Sequence, residues 1–285
     1  MAHNRFQKTI KAVKDKTAMS IAKVSTTTTI ETEIEIKVEK ATRHDSHPSD
    51  DKHIRDILIL TTPTSSSFSR QPITTCVSTI SRRLNKTRNR NVVLKTLILI
   101  HRLLPLRGGH SVRGGGFLCN QERSWEFSSF VRSFARYLDQ RVGFRMRERR
   151  KRKEKKKKKK KNGPTPAREI STKMILNRSE QQLEMLERFI DCKPMGLAKG
   201  DPLVAITMYP LMKEGRHIYS NLKEMMAILV ERFIQMEISY CIKVHDLFTS
   251  LSKKFKEFTT LHDWCNTVGI GKPSSDYPTI VEDIT

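Results

Sequence analysis

Between Lys40 and Ile54 the chain reads KATRHDSHPSDDKHI. Three histidines, two lysines and one arginine stand among three aspartates and a proline in these fifteen residues. One chemistry such a cluster suggests is metal ligation by His44, His47 and His53. Their spacing suits a turn, no thiolate is near, and the surrounding cations repel a metal ion, so zinc is disfavoured. The other is attraction of an anion by cations set on a turn just ahead of an apolar run.

Composition favours the second. The 285 residues carry 54 Lys and Arg against 30 Asp and Glu, a net charge of +24. Half of that excess lies in one run: Arg145 to Lys161 holds fourteen Lys or Arg and two Glu, a net of +12. Such a balance points to nucleic acid, an acidic protein or an anionic membrane face. With 37% hydrophobic residues the chain can build an ordinary core. Its five cysteines lie far apart, with no C-x-x-C pair, and read as reduced thiols. The first sixteen residues contain no apolar core of a signal peptide. Apolar stretches such as Leu97–Ile100 fall well short of the ~20 residues that cross a bilayer, so membrane contact is expected to be peripheral.

Catalytic motifs are missing. Gly109 and Gly114 have phosphate-loop separation, but Gly115 and Gly116 stand where Lys and Ser or Thr are required. There is no G-x-S-x-G and no H-E-x-x-H. Trp125 and Trp264 read as core or half-buried anchors. Aromatic residues are not interleaved with the basic runs, which weighs against a single-stranded nucleic-acid platform.

The elements that would position the basic turn are helical. Phe6, Ile10, Val13, Ala18, Ile21 and Val24 trace a first amphipathic stripe. In IETEIEIKVEK, Ile34, Ile36 and Val38 alternate with charges, a strand period on helix-favouring residues. Ser49 or Asp50 is placed to cap a helix carrying Ile54, Ile57 and Leu58. Ile73, Cys76, Val77, Ile80 and Leu84 predict another helix, and VVLKTLILIHRLL, apolar almost all round, a central one ended by Pro105. Residues 105–120 are glycine-rich and read as loop. Ser124 caps a helix burying Phe127, Phe130, Val131, Phe134, Tyr137 and Leu138. After the polybasic run, Leu183, Leu186, Phe189 and Ile190 form a stripe. One or two helices follow with Pro210 as a kink. Another runs from about Ile238 to Phe258, with Ile242, Leu247, Leu251, Phe255 and Phe258 inward, and a short one holds Leu261 and Trp264. The expected organisation is helices over 1–144, a solvated polybasic linker over 145–171, and helices over 172–285.

Taken together, AVKDKTAMSIAKV, KATRHD, DKHIRDIL, VSTISRRLNKTRN, VVLKTLILIHRLL, SSFVRSFARYLDQR, MLERFIDCKP, ITMYPLMKE, IYSNLKEMMAILVERFI, IKVHDLF and WCNTVGIGKPSSDYP resemble, in order, the ANTH domain of clathrin assembly proteins of the plant type. The resemblance implies an all-α fold, a right-handed superhelical solenoid or bundle of stacked helices, with IETEIEIKVEK helical. It implies a non-enzymatic peripheral adaptor that binds phosphatidylinositol 4,5-bisphosphate and promotes clathrin coat assembly in endocytosis. Its implied setting is the cytoplasmic face of the plasma membrane, coated pits and vesicles, and the Golgi apparatus, with clathrin and SNARE proteins as partners and no cofactor. The family's lipid site matches Lys40, Lys52 and His53; the middle lysine of the pattern falls at Asp50. A free helix N-terminus would add amide donors to these side chains.

Two departures accompany the match. A further family helix should lie where the chain has its glycine-rich interval, a replacement expected to expose apolar surface and reduce cooperativity. The long tail of clathrin- and adaptor-binding motifs is also absent before Thr285, and Asp246–Phe248, reading DLF, falls inside a predicted helix. The competing reading is a nuclear or nucleic-acid-binding helical protein driven by the polybasic run.

Overall fold

The computed structural model describes residues 30–62, 71–104, 125–162 and 171–270; of residues 125 and 152–162 it describes the backbone. The stripe from Phe6 to Val24 and the glycine-rich interval lie outside the described residues. Among the described residues there are eight α-helices, two 3-10 turns and no strand. The expected all-α class is therefore observed. In chain order the helices are α1 (Ile30–Ala41), α2 (Asp51–Thr61), α3 (Gln71–Lys86), α4 (Arg90–Leu103), α5 (Trp125–Asn162), α6 (Thr172–Ile190), α7 (Pro202–Glu231) and α8 (Ile238–Thr267).

The strand-like IETEIEIKVEK forms α1. Ile34, Val38 and Ala41 are fully buried at steps of four and three, whereas Ile36 is only half-buried. The alternation thus hides a helical stripe, because three of its apolar positions also satisfy i, i+4 and i+7 spacing. Glu31 and Glu33 in the first turn and Lys40 in the last complement the helix dipole. In α4 every residue from Val92 to His101 is buried, as its near-continuous apolar character predicts. Asn89 caps it, its side chain accepting from the amides of Asn91 at 3.0 Å and Val92 at 3.3 Å.

The described chain divides into two compact units, each discontinuous in sequence. The first takes residues up to Arg132, together with Met195–Thr207 and the segment from Gly269. Within it α1 lies against α2, α3 and α4. Gly196, in the 3-10 turn Gly196–Gly200, has a φ of +48°, and a Cβ there would fall 1.8 Å from a Glu126 carboxylate oxygen. The positive φ favours glycine, and a side chain there would displace the Glu126 carboxylate. Glycine lets Glu126 accept the Leu197 amide at 2.8 Å.

The second unit takes Ser133–Pro194 and Met208–Val268. Tyr137, Phe189, Phe258 and Tyr219 form its aromatic centre, with ring centroids 5.0–6.3 Å apart in successive pairs. The Tyr137 hydroxyl donates to Glu214 at 2.8 Å, and Glu214 also pairs with Arg141. Burial first, and the Glu214 charge second, hold the Tyr137 hydroxyl in its protonated form far above the ordinary range.

Three expectations are corrected here. The expected linker over 145–171 is helical backbone as far as Asn162, a continuation of α5. Lys, Arg and Glu have good helix propensity, and a preformed helix removes the nucleation cost. The helices placed separately over Ile238–Phe258 and around Leu261 are one, α8. Ile242, expected inward, is 57% exposed; the buried stripe runs through Val244, Leu247, Leu251, Phe258, Leu261 and Cys265. The segment around Pro210, expected as one or two helices, is a single one, α7, with Pro210 in its interior, which is within the expectation.

Gly215 on α7 tests the aromatic centre. A Cβ there would stand 2.7 Å from the Phe189 ring, which is fully buried and cannot swing away. Gly215→Ala gains about 1 kcal/mol of helix propensity, against an overpacking cost of about 1–3 kcal/mol. The expected net result is a destabilised protein, read as a lower urea midpoint. An unchanged or raised midpoint would show that Phe189 has room to move.

Candidate functional site

The basic turn is the segment between α1 and α2, residues 42–50. Local bonds shape it first. Thr42 closes α1, its amide bonding the Val38 carbonyl at 3.1 Å and its hydroxyl donating to the same oxygen at 2.7 Å. The Ser49 hydroxyl donates back to the Ala41 carbonyl. Asp45 accepts from the His47 amide at 3.2 Å. Asp50 caps α2, accepting the Lys52 amide at 2.8 Å, while the His53 amide bonds the Asp50 carbonyl at 3.1 Å. The helix start is therefore not free, contrary to the sequence expectation. The Lys52 and His53 amides are engaged by Asp50, so anion capture here relies on side chains.

Two further helices hold the turn from behind. Arg83 of α3 donates to the Thr42 carbonyl at 2.7 Å and to its hydroxyl at 3.0 Å. Asn91 of α4 donates to the Asp45 carbonyl at 3.2 Å. Lys95 of α4, with 2% of its side chain exposed, places its ammonium on the Arg43 carbonyl at 3.1 Å and on the Asp45 carboxylate at 2.6 Å. A lysine sunk this deeply in an apolar helix needs such acceptors, because an unpaired buried charge is costly.

The same clamps dispose of the acidic side chains. Asp45 pairs with Lys95, Asp51 with Arg102, Asp56 with Lys37, Glu39 with Arg83 and Glu35 with Arg82. Asp50 is committed to its cap. Lys40, Arg43 and Lys52 enter no ion pair among the described residues.

Lys40 stands in the last turn of α1, and Lys52 and His53 in the first turn of α2. His53 is half-buried, and its Nδ1 is buried without a hydrogen-bond partner. Burial lowers its pKa; Asp50 opposes that, and Lys40, Lys37 and Arg43 reinforce it in that order. The charges of Lys52 and His53 act in turn on Asp56. The expected residues thus share one electrostatic neighbourhood, joined by Arg43 and Lys37, which sequence reasoning did not single out. The signal for Lys95 was present: a single lysine inside the otherwise apolar VVLKTLILI. Among the described residues, no group of three or more His, Cys, Asp or Glu is placed to hold a metal ion, and no helix is long and apolar enough to cross a membrane.

A chain of stacked helices presenting unpaired cations at one inter-helix turn matches a known family. The family model described as the ANTH domain aligns with residues 33–284. The putative clathrin assembly protein At4g02650 of Arabidopsis thaliana is 41% identical over an alignment covering 100% of this chain and 52% of that protein. A second Arabidopsis thaliana relative, the putative clathrin assembly protein At1g03050, is 37% identical over the same shares. The clathrin coat assembly protein AP180 of Arabidopsis thaliana is 30% identical over 97% of this chain and 47% of that protein. The chain belongs to the ANTH-domain family. It spans about half the length of the curated relatives it matches.

His53 should titrate below its ordinary value of about 6.5, because burial and neighbouring cations disfavour the imidazolium. The unfolded chain then takes up the proton first. The resulting stability is present above about pH 6.5 and is lost as pH falls through the lower folded-state pKa. A proton-NMR titration with His53→Gln as the assignment control reads this directly. A midpoint at or above the ordinary value would contradict the described environment.

Proposed function

We propose that this chain is a peripheral membrane adaptor module that binds phosphatidylinositol 4,5-bisphosphate through Lys40, Lys52 and His53 and promotes clathrin coat assembly in endocytosis at the cytoplasmic face of the membrane. The observation that carries the lipid reading is the division of charge at the turn. The acidic side chains are tied to partners from α1, α3 and α4 or to the α2 cap, while Lys40 and Lys52 are in no pair among the described residues. A clustered phosphate headgroup needs such unpaired donors converging from two elements, with no apolar enclosure. Clathrin enters through the relatives, whose names describe clathrin assembly proteins. The role is one of binding and assembly, and it calls for no catalytic group.

Reversing Lys40 and Lys52 together to Glu should abolish selective sedimentation with vesicles carrying the bisphosphate lipid, while circular dichroism stays unchanged. Retention of wild-type selectivity in that folded variant would refute the site. The pH dependence follows from His53. A bound polyanion stabilises the imidazolium and raises its pKa above that of the free protein, so binding takes up a proton. Affinity should rise as pH falls from neutral toward the free-state midpoint and level off below it.

The polybasic end of α5 adds a second component. Each Lys or Arg close to an anionic leaflet contributes on the order of 1 kcal/mol, within a Debye length of about 8 Å at physiological salt. The net +12 of Arg145–Lys161 should therefore give a large, non-selective and salt-sensitive term. Replacing Lys155–Lys161 by Gln should flatten the salt dependence of binding to phosphatidylserine vesicles and leave preference for the bisphosphate lipid intact. Loss of that preference with an unchanged salt slope would reverse the two roles. Tight binding of the intact chain to duplex DNA, with none to either vesicle, would favour a nucleic-acid role instead.

A further inference from the structure

At position 50 the chain carries a carboxylate, committed to the α2 cap, and an exposed arginine stands on the same turn. We propose that Arg43 is a phosphate-contacting residue of this site, supplying the donor that Asp50 cannot, and that buried Lys95 fixes the backbone from which it projects. The inference rests on the lipid-binding reading above and adds a residue to it.

Four observations converge on Arg43. Its side chain is exposed and enters no hydrogen bond or ion pair among the described residues. Its charge acts on His53 alongside that of Lys40, so the three groups occupy one field. Its carbonyl accepts from Lys95 at 3.1 Å, and the flanking Thr42 carbonyl accepts from Arg83 at 2.7 Å. The backbone that carries it is thus held from α3 and α4 before any ligand arrives. Pre-ordering of that kind lowers the entropy lost on binding.

The fourth observation concerns the nearest competitor. Asp45, two residues on, is the carboxylate best placed in sequence to neutralise Arg43, and Lys95 takes it at 2.6 Å. Lys37, the other cation acting on His53, is by contrast consumed by Asp56. Of the cations that act on His53, Arg43 is therefore the guanidinium, exposed and in no ion pair among the described residues. Its planar fork suits two phosphate oxygens at once, which a lysine ammonium cannot match.

The chemistry recognised is a cluster of phosphate monoesters, whether on a lipid headgroup or free in solution. The test uses the full chain with Arg43→Gln, Arg43→Lys, Lys40→Gln and Lys52→Gln. Each is measured against phosphatidylcholine vesicles doped with phosphatidylinositol 4,5-bisphosphate, against vesicles of equal charge density doped with phosphatidylserine, and against soluble inositol 1,4,5-trisphosphate. Arg43→Gln should weaken bisphosphate-vesicle binding about tenfold, the scale of one charge-assisted contact, and leave phosphatidylserine binding nearly unchanged. Arg43→Lys should recover only part of the loss. A parallel loss for the soluble headgroup supports phosphate contact irrespective of the bilayer; a loss confined to vesicles supports contact with the lipid-borne headgroup. If Lys40→Gln and Lys52→Gln weaken binding while Arg43→Gln does not, the inference fails and the lipid-binding reading stands. If none of the three has an effect, that reading itself fails. An equal loss on both vesicle types would overturn the inference by making Arg43 part of a non-selective field.

Discussion

The contact between the Lys95 ammonium and residues 43–45 is the constraint around which the first unit is arranged. A lysine with 2% of its side chain exposed, inside a helix buried along ten consecutive residues, has no water to solvate it. It can be tolerated only if acceptors are brought to it, since stranding such a charge costs several kcal/mol. The turn after α1 supplies them. The end of α1, the start of α2 and the face of α4 are thereby fixed together, and Arg83 of α3 adds a second tie at Thr42.

That constraint also sorts the charges. The segment from Lys40 to Ile54 contains both signs in nearly equal measure, and taken as composition it would attract little. Its acidic groups are directed to partners within the fold or to a helix cap, and Lys40, Arg43 and Lys52 are not. Local net charge is the wrong quantity for such a surface; what matters is which charges remain uncommitted once the helices have packed. The same packing half-buries His53 and sets its proton affinity below that of an exposed imidazole.

Much of this was legible beforehand. The stripes of α2, α3, α4 and the first half of α5 are written at helical spacing, and the cap of α2 is narrowed to Ser49 or Asp50, of which the fold uses Asp50. The period of α1 misled because alternation over Ile34, Ile36 and Val38 coexists with an i, i+4, i+7 set whose third member, Ala41, is easily passed over. Ile242 misled because its spacing from Leu247 fits a broad stripe, whereas the helix buries the narrower one through Val244. The tie between Lys95 and Asp45 joins residues fifty positions apart, and no periodicity reports such a pairing. That Arg43 enters no ion pair is illegible for the same reason: it depends on Lys95 taking Asp45, which only the fold reveals.

The continuation of α5 through the basic run has a geometric consequence. At 1.5 Å per residue, the helix from Arg145 to Asn162 is about 27 Å long, more than three times the screening distance in physiological salt. Charges at its far end are electrostatically independent of those at its base. The base, where Arg145 is partly desolvated beside Arg141, belongs to the energetics of the fold. The tip answers only to composition. Lengthening or shortening that lysine tract by a few residues would alter its reach and leave the melting temperature of the folded units untouched.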